Sequence, residues 1–194
     1  ARDQVQQLRA GSGAIITGIE TVLADDPGLD VRSELVREQP IRVIIDSRLR
    51  ISEEAKILNL PGEVIIATAI SNKKLLVNKQ KMIGNENVIL YSCANTDDQV
   101  NIEQLLRFLV SEKQCHDILL ESGAELAGAM LTEKLVDEII TYIAPSLLGC
   151  EARPLFNLRG LSRIEDRIEL EILDVSMVGK DCRMRTRPVY QHNH

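Results

Sequence analysis

Three short stretches hold the residue types that could bind phosphate, orient a ribose or handle a proton. The first is Glu121-Ser122-Gly123-Ala124-Glu125-Leu126-Ala127-Gly128, between an aliphatic run and an amphipathic one. Strand, glycine, helix is the order a phosphate cradle needs: Gly123 lets backbone approach an anion, and the free N–H groups of a first helical turn point at it. Ser122 and Glu125 also have capping-box spacing, so stabilising the helix start accounts for both equally well. The second stretch, Thr21-Val22-Leu23-Ala24-Asp25-Asp26-Pro27-Gly28-Leu29, sets two adjacent carboxylates before a Pro-Gly turn. Asp26 precedes proline and is expected to be extended; the pair is either chemical or a solvated turn. The third, Asp46-Ser47-Arg48-Leu49-Arg50, closes a buried strand at its carboxyl end, where open α/β sheets place ligands. A hydroxyl beside guanidinium groups suits a ribose 2′-phosphate, although loop arginines are also ordinary surface charge. Arg9 and Arg32 could each be binding groups or surface charge, and nothing local decides.

Other signals are bland. Gly11-Ser12-Gly13 precedes a strand, the reverse of a dinucleotide-binding loop, and reads as a helix-to-strand turn. His116 reads as a strand-entry residue, and His192 and His194 lie in a polar tail over residues 191–194. With no second His or Cys at ligand spacing, no metal site is assigned. No G-x-S-x-G pattern supports a hydrolase.

The elements that would position these residues follow from hydrophobic period. Residues 2–10 read as a helix, and 14–17, 42–46 and 63–67 as buried strands. Ile102, Leu105, Leu106, Leu109 and Val110 mark a helix over 101–112, followed by a strand at 118–121, a helix over 124–135 and a strand over 138–144. Further on, Ile168, Leu170 and Ile172 alternate with Arg167, Glu169 and Glu171, and Arg183, Arg185 and Arg187 alternate along 182–187. Joined through Gly179-Lys180-Asp181, these two segments read as an antiparallel hairpin with its arginines opposite carboxylates. The expected fold class is α/β: a mostly parallel sheet flanked by helices, with a C-terminal antiparallel hairpin, in one domain over 1–190.

Composition narrows the class. The 194 residues are 44% hydrophobic with two Phe, three Tyr and no Trp, so the core must be aliphatic, as in a parallel sheet covered on both faces. A net charge of −6 argues against a nucleic-acid partner. No apolar run is long enough to span a membrane. The four cysteines form no C-x-x-C pair, and free thiols in a reducing cytoplasm are expected.

Taken in order, Leu8-Arg9-Ala10, TVLADDPGLDVR (21–32), PIRVIIDSRLR (40–50), ESGAELAGAML (121–131), LVDEIITYIAPSLLG (135–149) and ARPLF (152–156) resemble the reductase domain of the bifunctional riboflavin biosynthesis deaminase/reductase family. The resemblance implies a dihydrofolate-reductase-like fold, NADPH as cofactor, and reduction of 5-amino-6-(5-phosphoribosylamino)uracil, a phosphorylated pyrimidine, to its ribitylamino counterpart. It matches Thr21, Asp25 and Ser47 to the cofactor, with Arg48 beside Ser47 a cofactor candidate by its chemistry, and Gly123, Ala124, Glu125, Leu126, Ala127, Gly128 and Ala129 to its pyrophosphate. It matches Arg9, Leu29, Arg32 and Glu121 to the substrate, the two arginines as phosphate clamps, and makes Asp25 and Glu121 the candidate catalytic groups. A homodimer or larger homo-oligomer is implied. The family loop more often begins Glu-Gly-Gly or Glu-Ala-Gly, where this chain has Ser122 in the middle place. The resemblance begins after the family's first strand, and the deaminase half with its P-C-x-x-C signature is absent, so a longer parent chain is expected. Two rivals share these features. One is another reductase of this fold, such as a dihydrofolate reductase, against which the missing Trp and the Arg9/Arg32 pair weigh. The other is a non-catalytic nucleotide-binding module.

Overall fold

The computed structural model describes residues 2–32, 38–161 and 163–190, and its contacts divide the chain into two compact units. The first runs from Asp3 to Gly123. It holds α1 (Arg2–Ala10), β1 (Ala14–Gly18), α2 (Ile19–Asp25), β2 (Ile41–Ile45), β3 (Val64–Thr68), α3 (Lys73–Ile83), β4 (Val88–Ser92), α4 (Ile102–Ser111) and β5 (Ile118–Leu120). The five strands form a parallel sheet in the order β4-β3-β2-β1-β5.

The aliphatic strands are buried on both faces because helices and loops cover both. On one face Ile15, Ile44, Ile66 and Val88 pack with Ile19 and Val22 of α2 and with Leu29, Ile51, Ile57 and Leu58. The other face buries Ile16, Val43, Ile65 and Ala67, and α4 buries Ile102, Leu105 and Leu109. Tyr91 of β4 stacks on Phe108 of α4, with ring centroids 4.1 Å apart. Gly13, in the turn between α1 and β1, lets Cys115 approach: a Cβ there would lie 3.2 Å from the Cys115 Cα.

Two expectations are corrected here. Residues 21–25 are not part of a turn but the last five residues of a short helix, α2, whose inner side buries Ile19 and Val22. Asp26 is not extended but left-handed, at φ 41° and ψ 54°, and its N–H donates to the Val22 carbonyl. Aspartate tolerates this conformation better than most residues, and Pro27 cannot continue the helix. The Asp26 carboxylate accepts from the Lys56 N–H at 2.9 Å, which further fixes the cap.

The second unit, from Ala124 onward, carries α5 (Ala124–Thr132), β6 (Ile139–Ile143), β7 (Glu169–Val178) and β8 (Asp181–Val189). The hairpin is present, turning at Gly179 with φ 63°. With β6 it forms a separate antiparallel sheet, β6-β8-β7. The arginines of β8 meet carboxylates on both neighbours: Arg183 pairs with Asp174, Arg187 with Glu171 and Arg185 with Glu138. The guanidinium of Arg185 holds the Glu138 carboxyl below the usual carboxylate range.

Candidate functional site

In the parallel sheet the chain steps outward from β1 through β2 and β3 to β4, then returns to β5 on the far side of β1. The carboxyl ends of β1, β2 and β5 therefore flank the topological switch point, the usual ligand crevice of such sheets. Thr21 and Asp25 follow β1, Ser47 and Arg48 follow β2, and Glu121 and Gly123 follow β5. The Glu121 N–H donates to the Ile16 carbonyl at 2.9 Å, which fixes the end of β5 against β1.

Arg9 holds Glu121. Its two oxygens accept from Arg9 Nε at 2.6 Å and Nη2 at 2.7 Å, a bidentate ion pair. Arg9 Nη1 donates to the Asp30 carbonyl at 3.1 Å. The Glu121 hydrogen bond raises the Arg9 pKa against the opposing effect of burial. Arg32 is unlike Arg9: its side chain is 70% exposed, and Nε lies 3.7 Å from Asp30 Oδ2. Asp25 ends α2 with an exposed carboxylate that has no ion pair among the described residues. Leu29 is buried in the core cluster and left-handed, at φ 50°. Two left-handed non-glycine residues within four positions, Asp26 and Leu29, store backbone strain beside the crevice.

Gly123 is open on its Cα face; a Cβ there would meet only the Thr21 hydroxyl, at 4.0 Å. The Ser47 hydroxyl donates to Gln99 Oε1 and accepts from the Val100 N–H, both at 3.2 Å. Arg48 is exposed, with no ion pair among the described residues, whereas Arg50 pairs with Glu20.

Within the second unit, α5 begins at Ala124. The capping-box expectation is not met. Ser122 donates to the Gly123 carbonyl, while Glu125 accepts from Asn157 and Arg159. Gly128 is needed for packing, since any Cβ would collide with the Asn157 carbonyl. Ala124 holds the same segment through its carbonyl, which accepts from the Asn157 N–H at 2.9 Å. Leu126, Ala127 and Ala129 are half-buried on the same helix.

Several functional-site neighbours carry no distinctive signal in the sequence. Gln6 accepts from the Arg32 N–H at 2.8 Å, and one of three glutamines on a polar helix points to nothing. Asp46 is completely buried; Oδ2 accepts from the Ile51 N–H at 2.8 Å, while Oδ1 has no partner. The Thr17 hydroxyl is equally buried and unpartnered. Thr17 lies opposite Ile44, so Thr17 and Asp46 share a sheet face at the carboxyl ends of β1 and β2. Among the described residues no His/Cys/Asp/Glu group could hold a metal.

Residues 1–183 match the RibD C-terminal domain family, almost the whole chain. The chain belongs to that family. It is 36% identical over 201 residues to the riboflavin biosynthesis protein RibD of Escherichia coli, covering 93% of this chain and 50% of the relative. It is 30% identical over 200 residues to the 5-amino-6-(5-phosphoribosylamino)uracil reductase of Buchnera aphidicola, covering 97% of this chain and 92% of that protein. The solved structure of Acinetobacter baumannii RibD, form 2, superposes with a TM-score of 0.80 at 37% identity, over 97% of this chain and 50% of that one. The chain thus spans about half the length of the RibD proteins it matches, and its fold is that of the RibD C-terminal domain.

Proposed function

We propose that this chain is an NADPH-dependent reductase that converts 5-amino-6-(5-phosphoribosylamino)uracil to its ribitylamino counterpart in riboflavin biosynthesis. The observation that carries this reading is the grouping of Arg9, Glu121, Asp30 and Arg32 within the unit whose switch point also presents Thr21, Asp25 and Gly123. An anionic ligand finds an exposed guanidinium there, and a nucleotide finds open backbone.

The residues fit a dinucleotide. The uncovered Gly123 beside the Thr21 hydroxyl leaves room for a pyrophosphate or ribose, and exposed Arg48 beside Ser47 suits the 2′-phosphate that distinguishes NADPH. The start of α5, Ala124 to Ala129, is cofactor-binding in the same reading. NADPH supplies the hydride. The substrate's ribosylamine opens to an imine; reduction at C1′ and protonation of the adjacent nitrogen leave the ribityl chain. The chain's task is then mainly orientation and exclusion of water. Arg32 and Arg9 face the substrate phosphate. Asp25, an exposed carboxylate without an ion pair, handles the proton of ring opening or orients the ribose hydroxyls. Glu121 is tied to Arg9 at both oxygens and is the weaker proton carrier of the two.

The parent protein carries a deaminase domain, as the half-length match to the bifunctional relatives suggests, and works in the cytoplasm as a homo-oligomer. No helix among the described residues is long and apolar enough to cross a membrane. The test is loss of NADPH absorbance on adding the phosphoribosylamino-pyrimidine. Substrate-dependent oxidation supports the reading; NADPH binding without oxidation overturns it in favour of a nucleotide-binding module.

A further inference from the structure

The segment 30–32 belongs to no helix or strand, yet side chains hold its backbone at successive positions. The Asp30 carbonyl accepts from Arg9 Nη1 at 3.1 Å and from Gln6 Nε2 at 3.5 Å. Val31 is bonded on both sides by Gln39, whose Oε1 accepts from its N–H at 2.8 Å and whose Nε2 donates to its carbonyl at 2.9 Å. The Arg32 N–H donates to Gln6 Oε1 at 2.8 Å.

These bonds have different causes. Val31 is buried, with 4% of its surface exposed, so its backbone groups need protein partners and Gln39 supplies them. Arg32 is exposed, and water would satisfy its N–H at no cost. The Gln6 bond is therefore not demanded by burial. Its effect is to fix the Arg32 backbone while leaving the guanidinium in solvent, and fixing a loop residue costs conformational entropy. A pinned main chain under a free cationic head is what an anion-binding side chain gains from, because less freedom remains to be lost on binding. Arg9 needs no such support, since Glu121 and the Asp30 carbonyl already hold its guanidinium directly.

We propose that Gln6 is a positioning residue that fixes the Arg32 backbone so that its guanidinium meets the phosphate of the substrate. This rests on the proposed reading of Arg32 as a phosphate clamp.

The experiment is a double-mutant cycle of Gln6→Ala and Arg32→Ala, read by calorimetric titration with ribose 5-phosphate and by KM and kcat for the phosphoribosylamino-pyrimidine. Gln6→Ala is expected to weaken ribose 5-phosphate about fivefold, the worth of one hydrogen bond, and to raise KM by a similar factor with kcat little changed. In the Arg32→Ala background it is expected to add nothing, and binding of unphosphorylated ribose should not respond to it. Gln6→Met, which keeps the bulk and helical preference of the side chain, should behave as Gln6→Ala does and removes any ambiguity from a loosened α1. Equal losses with and without Arg32 overturn the proposal, as do an unaltered affinity or a loss confined to kcat. Wild-type chain that does not bind ribose 5-phosphate overturns it too. Coupled losses in ribose 5-phosphate binding without any NADPH oxidation would keep the proposal and remove the reductase reading alone.

Discussion

Asp25 and Glu121 enter as equal candidates for proton handling, and their surroundings separate them. Both Glu121 oxygens accept from one guanidinium at 2.6 and 2.7 Å, a bidentate pairing that fixes the carboxylate's orientation. Asp25 has no such tie among the described residues, and its exposed side chain stands at the end of α2 beside the strained Asp26–Leu29 turn. Asp25→Asn keeps size and helix but removes the charge. It is expected to lower kcat by about two orders of magnitude, the usual contribution of a positioned acid or base, while the melting temperature stays close to wild type. Steady-state kinetics beside a thermal melt would check both halves, and unchanged turnover would remove Asp25 from the chemistry. This residue was legible in the sequence through the DDPG run, although its setting was not. The pattern around Thr21 suggested a solvated turn, because the apolar positions Ile19 and Val22 are too few to register as a helical stripe. Gln6 was not legible at all, and Asp46 only as a member of the third stretch, since their bonds are to partners 26 and five positions away.

Among the elements, four of the five strands of the parallel sheet were readable because aliphatic runs leave a continuous signal, and α4 because Ile102, Leu105 and Leu109 form one inward stripe. The α3–β4 pair went unread. No residue of α3 is buried, so no face of it is marked by period, and β4 is an edge strand with only Val88 fully buried. One residue in β2 looked like an ordinary charged strand position and is a structural tie. Arg42 is 1% exposed, and its guanidinium donates to the carbonyls of Ile57, Leu60, Pro61 and Gly62 at 2.9 to 3.1 Å. A buried cation organising four carbonyls shapes the irregular stretch that leads into β3, and burial lowers its pKa. Arg42→Ala strips those carbonyls of their donor and opens a cavity at once. The expected loss is about 3 kcal/mol of unfolding free energy, measured as a lower urea midpoint with an unchanged m-value; a loss within about 0.5 kcal/mol would show the loop to be held by other contacts.

At the scale of the whole molecule, the antiparallel sheet of the second unit has two unlike faces. Arg183, Arg185 and Arg187 stand on one, each neutralised by a carboxylate on a neighbouring strand. The other carries Leu170, Ile172, Val175 and Met177 of β7, 44 to 68% exposed. The register shift between Ile172 and Asp174 matters here: Ile172 pairs with Thr186 and Val175 with Met184, so the bulge keeps all four apolar side chains on one face despite their uneven spacing. Ile143, opposite Cys182 on β6, extends the same face. Large apolar side chains exposed together on one face form the kind of contiguous patch that marks an interaction surface. A second copy of the chain would cover it without any charge to bury, because the charged face is already self-paired, and two such faces related by a two-fold axis would be complementary by construction. Sedimentation velocity of the chain is therefore expected to give a dimer or a multiple of one. Replacing both Ile172 and Met177 by Lys should lower the mass to that of a monomer, with the fold of the parallel-sheet unit intact by circular dichroism. A native chain that sediments as a monomer, or a Lys variant whose mass does not fall, would mean that this face meets something other than its own copy.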